Sequence, residues 1–256
     1  MYLTREDIIS ALKEIKSFEN DLNEVYAHRG YNFRENTGRR NALISIAQER
    51  EVAKILRRKF KDVIEDGSPG KPDIYIKDIQ TELECKLTSG SKSKGSRVYS
   101  LQTDWETLCQ KESLDYLYII ANKEFDQFCV LHFESLTPDD FFPPANGSRG
   151  KSRMNKTNAM RKVKCLVGDY TVHNEVYLNK IHLETMDEFN SYQVKMRDLW
   201  KVYEGINPDN VNKIKEVKNE KNKLTSAHRK KVKTLSGRAK YWQTSPKRFR
   251  FIFEQV

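Results

Sequence analysis

The sequence predicts an α/β fold with a mixed central sheet flanked by helices. Two observations carry this expectation. Residues 41–133 run in the order helix, three strands, helix, two strands, and the strand segments are short β-branched or alternating runs bounded by Gly, Pro and Asp. At 256 residues the chain can bury a sizeable core, as one enlarged domain or a domain with an appendage.

Residues 4–26 read as a helix. Thr4-x-x-Asp7 forms a cap-like opening, and Ile8, Leu12, Ile15, Leu22 and Val25 recur on the inner side. A polar loop, 28–40, follows, with Gly30, Gly38 and four arginines, Arg29, Arg34, Arg39 and Arg40. A second helix, 41–60, starts at Asn41 as its cap, with an inward stripe of Ala42, Ile46, Glu49, Ala53, Leu56 and Phe60. At about 100° per residue, Glu49 falls in mid-stripe and Glu51 almost opposite. A carboxylate buried there without a partner would protonate or destabilise the fold, so Glu49 needs either a core arginine or a site to belong to.

Residues 61–65 make a first strand, and the turn Gly67-Ser68-Pro69-Gly70-Lys71-Pro72 delivers Asp73. Pro72 holds Lys71 extended and starts a strand where no amide donor is needed. Strands 74–76 and 81–87 are followed by a helix at 102–111 and buried strands at 117–121 and 128–133. Helix 186–204 carries Phe189, Tyr192, Val194, Leu199, Trp200, Val202 and Tyr203, spaced as core or a subunit interface. Another helix, 210–233, precedes Ser236-Gly237-Arg238-Ala239-Lys240-Tyr241-Trp242-Gln243. The expected organisation is therefore an N-terminal helix and basic loop (1–40), a core (41–140), and a basic loop with a helical region (141–256) packed on that core as one domain.

The chemistry concentrates at Pro72-Asp73 and, after ten intervening residues, Glu84-Cys85-Lys86. Period-two alternation puts Glu82, Glu84 and Lys86 on one face and Leu83, Cys85 and Leu87 on the other. Three like-facing ionisable residues in mid-strand would be costly in an ordinary core. An exposed Glu84–Lys86 pair would be worth at most about 1 kcal/mol. Glu82-x-Glu84 is the other possible carboxylate pairing, but it leaves Lys86 one step too far along. Hydrolysis of a phosphodiester requires neutralised charge and an activated water. Asp73 and Glu84 offer the hard oxygens that suit Mg²⁺, with Mn²⁺ able to substitute, and Lys86 adds a cation beside them.

This pattern resembles the active-site signature of the PD-(D/E)xK nuclease superfamily, most closely the type II restriction endonucleases, over roughly residues 41–133. The resemblance implies a restriction-endonuclease-like core. It also implies Mg²⁺ held by Asp73, Glu84 and the Cys85 backbone carbonyl. Lys86 would then orient or deprotonate the attacking water, or stabilise charge on the phosphate. In many members the helix before the motif strands supplies a further acidic residue, and Glu49 stands at that place.

Charge agrees with a polyanionic partner. The net charge is +10, with 32% of residues charged. Three acid-free stretches, 87–103, 141–168 and 221–253, hold three, seven and eleven basic residues, 21 of the 46 Lys and Arg in the chain. Candidate contacts to double-stranded DNA are Arg39 and Arg40; Ser91, Lys92, Lys94 and Arg97 directly after the site strand; and Arg149, Lys151, Arg153, Asn155, Lys156 and Asn158. Arg can read guanine and Asn adenine in the major groove.

Cys85, Cys109, Cys129 and Cys165 show no CxxC spacing, so they read as reduced thiols and neither a zinc site nor a disulfide framework is expected. The five histidines form no metal or nuclease motif, and no phosphate-binding glycine loop occurs, so no nucleotide cofactor is expected. No membrane-spanning or signal segment is expected, which suggests the cytoplasm of a prokaryotic cell, associated with DNA. The expected function is a Mg²⁺-dependent, homodimeric, sequence-specific endonuclease. The alternatives are a repair or recombination nuclease of the same superfamily, such as a junction resolvase or nicking enzyme, and a non-catalytic DNA-binding module.

Overall fold

The computed structural model describes residues 2–68, 70–93, 96–144, 150–245 and 247–256, with 91–93 and 96–98 described by backbone alone. The chain forms two compact units, Met1–Tyr170 with Phe251–Val256, and Thr171–Arg250. This division differs from boundaries at 40 and 140, because the first helix packs on the second and the region after 141 sends a strand back to the sheet.

Helix α1 (Arg5–His28) opens with a reciprocal capping box: Thr4 Oγ1 accepts the Asp7 amide at 3.3 Å and Asp7 Oδ2 accepts the Thr4 amide at 2.7 Å. Ile8, Leu12 and Ile15 are buried as expected, whereas Val25 is 58% exposed. Seventeen residues beyond Ile8, Val25 has rotated about 100° off the inner stripe.

Helix α2 (Thr37–Arg57) begins earlier than expected. The cap is Asn36, whose side chain accepts the Arg39 amide at 3.1 Å, so Arg39 and Arg40 lie in the first helical turn. The buried residues include Ile44, Ala47, Gln48, Val52 and Ile55, while Ala42 is exposed and Ile46 is 64% exposed. Ala53 and Leu56 are buried as expected, but the inward face is broader and its centre is turned by roughly one residue, about 100°. Gln48 sits inside it and Glu49 at its edge.

Strands β1 (Val63–Glu65), β2 (Ile74–Ile76) and β3 (Thr81–Thr88) follow, then a short hairpin of β4 (Ser91–Ser93) and β5 (Ser96–Val98). The segment expected as one helix at 102–111 is instead β6 (Gln102–Asp104) and α3 (Trp105–Lys111). The Asp104 side chain accepts the Thr107 amide at 3.0 Å and so fixes the later helix start. Strand β7 (Leu114–Ala121) starts earlier than the expected segment and ends with it, and β8 (Gln127–Leu136) outruns its expected segment at both ends. Then come β9 (Phe141–Phe142), β10 (Lys151–Met154), α4 (Lys156–Ala159), β11 (Val163–Val167) and β12 (Asp169–Val172), with β13 (Phe249–Ile252) and β14 (Glu254–Gln255) at the C-terminus.

The central sheet runs β1-β2-β3-β7-β8-β11, with β14 also on β8. It is mixed: β3–β7 is parallel and the other neighbours are antiparallel. Leu83, Cys85, Leu117, Ile119 and Val130 form one core with Ile8, Leu12, Ile44, Val52 and Leu56 of the helices. On the other face Tyr116 and Tyr118 stack at 5.7 Å. Tyr116 OH meets Thr103 Oγ1 at 2.8 Å, and Tyr118 OH donates to the Gln102 carbonyl at 2.9 Å. These bonds tie the sheet to a small one ordered β6-β10-β9.

The second unit is an antiparallel hairpin of α5 (His173–Glu204) and α6 (Val211–Thr244), the latter running through the segment expected as separate, 236–243. Tyr177 stacks on Trp242 at 4.4 Å, Tyr192 stacks on His228 at 4.1 Å, and Glu184 pairs with Arg238 at 2.6 Å. The core reading of 186–204 is corrected. Phe189, Val194, Trp200 and Val202 are 42–58% exposed, since two packed helices cover only one side of each other.

Arg40 is fully buried. Its guanidinium donates to the Lys123 carbonyl, to Ser89 Oγ at 2.5 Å and to the Asn122 carbonyl at 3.4 Å, lies 4.9 Å from the Phe125 ring centre and sits 4.0 Å from Glu19. It therefore joins α2 to the ends of β3 and β7, and its expected place among the DNA contacts is corrected. Removing one member of such a buried network leaves its partners uncompensated. Arg40→Ala is expected to cost about 3–5 kcal/mol in urea unfolding, whereas exposed Arg39→Ala stays within about 0.5 kcal/mol.

Candidate active site

The β2–β3 register pairs Ile76 with Thr81, Tyr75 with Glu82 and Ile74 with Leu83. One step further sets Asp73 opposite Glu84. There the main-chain ladder stops and the Asp73 side chain takes its place, with Oδ2 accepting the Cys85 amide at 2.7 Å. The Asp73 carbonyl accepts the Asp66 amide at 3.2 Å, which anchors the same point to the end of β1. The turn thus fixes one carboxylate by both its main chain and its side chain.

Along β3, Leu83 and Cys85 enter the core while Glu82, Glu84 and Lys86 face the other way, as alternation predicts. Glu82 is held by Lys111 Nζ at 2.7 Å. Glu84 instead contacts Lys86 Nζ, which also lies 3.9 Å from Asp73 Oδ2. Asp73, Glu84 and Lys86 therefore converge, and Glu82 is drawn away from them.

The cluster is electrostatically tense. Burial pushes the Glu84 carboxyl above the usual carboxylate range, Asp73 adds to that, and Lys86 opposes it. Asp73 is raised by burial too, against Lys86 and the Cys85 amide. For Lys86, burial alone would lower the ammonium pKa, but Glu84 and Asp73 outweigh it and hold the group above its ordinary value. Glu49 is pushed up to about 7, by burial first and then by the charge on Asp73, with Lys86 opposing. A Cβ at Gly67 would lie 3.6 Å from Glu49 Oε2, which places Glu49 beside the turn that delivers Asp73.

Glu84 Oε2 is buried without a hydrogen-bond partner among the described residues. That orphaned acceptor, next to a second carboxylate and one lysine, is what a hard divalent cation such as Mg²⁺ fits. Among the described residues no three His, Cys, Asp or Glu side chains gather as a metal-holding group. Asp73 and Glu84 would then be the side-chain ligands, with main-chain oxygen and water completing the set, as Mg²⁺ tolerates.

A cleft of about 260 Å³ opens beside Lys86, with Thr88, Gln102, Asp104, Tyr118 and Lys151 in its walls. Lys151 reaches it because β10 pairs with β6, Lys151 opposite Asp104. Arg153 is exposed on β10 and Arg39 on α2. Asn155 occupies the cap position of α4 without a side-chain bond there, and Asn158 Nδ2 donates to the Asp139 carbonyl at 3.1 Å.

Lys156 is corrected as a phosphate contact. Its Nζ donates to the Tyr99 carbonyl at 2.9 Å and lies 5.0 Å from the Phe251 ring centre, and burial lowers its pKa to about 8. Lys94 and Arg149, and the side chains of Ser91, Lys92 and Arg97, lie outside the described residues. Sequence reasoning missed Gln48, which is buried and donates from Nε2 to the Leu117 and Lys86 carbonyls at 3.3 and 3.5 Å, supporting β3 from beneath. Centring the α2 stripe on Ile44, Ala47, Val52 and Ile55 would have found it.

Glu49 makes stability depend on pH with a definite sign. Its folded pKa lies above the ordinary 4.5, so the native state binds a proton that the unfolded chain releases. The contribution is complete below 4.5 and is lost as pH rises through about 7. Solvent reaches this half-buried group, which limits the loss to on the order of 1–2 kcal/mol. In urea unfolding with EDTA present, Glu49→Gln should remove that part of the pH profile and be the more stable protein at alkaline pH. A parallel profile in the variant would disprove it.

No family model, no curated protein and no solved structure matches this chain.

Proposed function

We propose that this chain is a Mg²⁺-dependent endonuclease of double-stranded DNA with a restriction-endonuclease-like core, acting as type II restriction enzymes do, at a short specific sequence. The observation that carries the reading is the meeting of Asp73, Glu84 and Lys86 around a buried carboxylate oxygen that lacks a partner. Support comes also from their placement: two adjacent strands, beside the parallel β3–β7 pair, at a cleft with a second lysine on its wall.

Asp73 and Glu84 would hold Mg²⁺, or Mn²⁺ in its place, with the Cys85 carbonyl as a further oxygen. When bound, the ion supplies Lewis acidity and a more acidic water. Lys86 keeps its ammonium at the cleft, where it hydrogen-bonds the phosphate or orients the attacking water. Lys151, across the cleft, offers a second cation to the DNA backbone. Glu49, poised near pH 7, can carry a proton in or out of the same cluster.

Among the described residues no helix is long and apolar enough to cross a membrane. A homodimer would supply one active site for each strand of a two-fold symmetric target. The prokaryotic cytoplasm is the compartment this reading requires.

Supercoiled plasmid and Mg²⁺ provide the test. The protein should cut with Mg²⁺ and not with EDTA. Asp73→Ala and Lys86→Ala should abolish cutting while retaining DNA affinity, whereas Lys151→Ala should weaken binding and lower the salt slope by about one contact. Discrete bands from a long duplex support a restriction enzyme. Cuts confined to junctions or nicks would replace it with a repair or recombination nuclease, and DNA binding by the unaltered protein with no cleavage in Mg²⁺ would leave a binding module.

A further inference from the structure

A second cavity, of about 580 Å³, lies in the turn between α1 and α2, away from the carboxylate cluster. Three aromatic rings border it: Tyr26 lies 4.8 Å from Phe33 and 6.4 Å from Tyr31, centre to centre. Phe33 is buried and shapes the floor, whereas Tyr31 is 69% exposed and leaves most of its ring uncovered. Exposed aromatic surface beside a cavity favours a flat, polarisable ligand.

Two amides mark the polar edge. Asn32 Oδ1 accepts the Arg34 amide at 3.1 Å and Asn36 Oδ1 accepts the Arg39 amide at 3.1 Å. Each therefore spends its acceptor on the chain itself and keeps Nδ2 as a donor, unbonded among the described residues. Arg39 is exposed on the same wall, and its guanidinium has no carboxylate partner among the described residues. Rings for stacking, amide donors for a base edge and a free guanidinium for a phosphate are together the requirements of a nucleotide.

We propose that this cavity binds a single unpaired nucleotide, stacking its base on Tyr31 and holding its phosphate with Arg39. Its place in the unit gives the site a role. Arg40 lines the cavity and bonds Ser89 Oγ, three residues beyond Lys86 on the strand that carries the cluster. Thr88 lines the cleft and the adjacent Ser89 bonds Arg40 of the cavity, so a base displaced from a duplex in the cleft is the nucleotide this cavity would take. This role as a holder of a displaced base rests on the nuclease reading, while nucleotide binding itself does not.

The test measures binding with Asp73→Asn protein in EDTA, so that no cleavage is involved. The probes are a short blunt duplex, the same duplex with one unpaired adenine, and free deoxyadenosine monophosphate. The unpaired base should tighten binding about tenfold over the blunt duplex. Tyr31→Ala should remove the gain and Tyr31→Phe should keep it, while Arg39→Ala should weaken the bulged duplex more than the blunt one. Tight binding of the free nucleotide without a gain from the bulge would keep the site and assign it to a mobile nucleotide.

Equal affinity for both duplexes with no nucleotide binding, or a gain that survives Tyr31→Ala, would overturn the inference. Because Tyr31 is surface-exposed, loss of fold does not confound the variant. Cleavage that fails while Tyr31-dependent binding persists would sink the nuclease reading alone.

Discussion

The candidate site depends on one hydrogen bond, from the Cys85 amide to Asp73 Oδ2. It stands where the next rung of the β2–β3 ladder would be, and so converts a main-chain pairing into a side-chain one. The consequence is geometric before it is chemical. Asp73 is brought opposite Glu84, and two carboxylates share a space where burial already disfavours their charge. Such a pair persists only if the scaffold around it is rigid. Rigidity comes from β3 lying inside the sheet between β2 and β7, from Gln48 beneath it, and from Arg40 tying its far end to α2 and to the loop after β7. The buried guanidinium holds the end of the strand whose middle carries the carboxylate cluster.

Five strands of the central sheet were legible in the sequence because they are short apolar runs between strong turn signals, whereas β11 and β14 were not, β11 lying in a basic stretch read as a loop. Alternation along 81–87 also sorted Glu82, Glu84 and Lys86 from Leu83 and Cys85 correctly. Errors arose where a neighbour in space overrode a local pattern. Residues 102–104 look helical in continuity with 105–111, but they pair with β10, which lies about fifty residues on, and Asp104 caps the helix that remains. In α2, an error of one residue turned the inferred face by about 100°, so Gln48 escaped notice. The same reading still placed Glu49 near the cluster, because the edge of a buried stripe is where a half-buried carboxylate can sit.

Basic composition overstated the free cationic surface. Lys162 is held by Asp140, Lys164 by Glu134, Lys231 by Glu188 and Arg238 by Glu184, at 2.6–2.8 Å, and Lys156 and Arg40 are spent on main-chain carbonyls. Acid-free runs in sequence therefore do not stay acid-free in space: strand pairing and helix packing bring acids from elsewhere to meet them. What remains beside the cleft is narrower and more telling, chiefly Lys151.

The state of Lys86 follows from the balance around it. Burial lowers its pKa and the two carboxylates raise it, and the carboxylates win. With Asp73 and Glu84 ionised and no other cation between them, Lys86 is an ammonium at neutral pH, able to donate hydrogen bonds and unable to take a proton from water. Any positive charge shared with those carboxylates would weaken their hold and leave the opposing effect of burial less compensated. How firmly Lys86 holds its proton is therefore set by how much of the carboxylate charge is already neutralised. Glu49 belongs to the same balance: burial and the charge on Asp73 push its pKa up to about 7, and the ammonium of Lys86 opposes them.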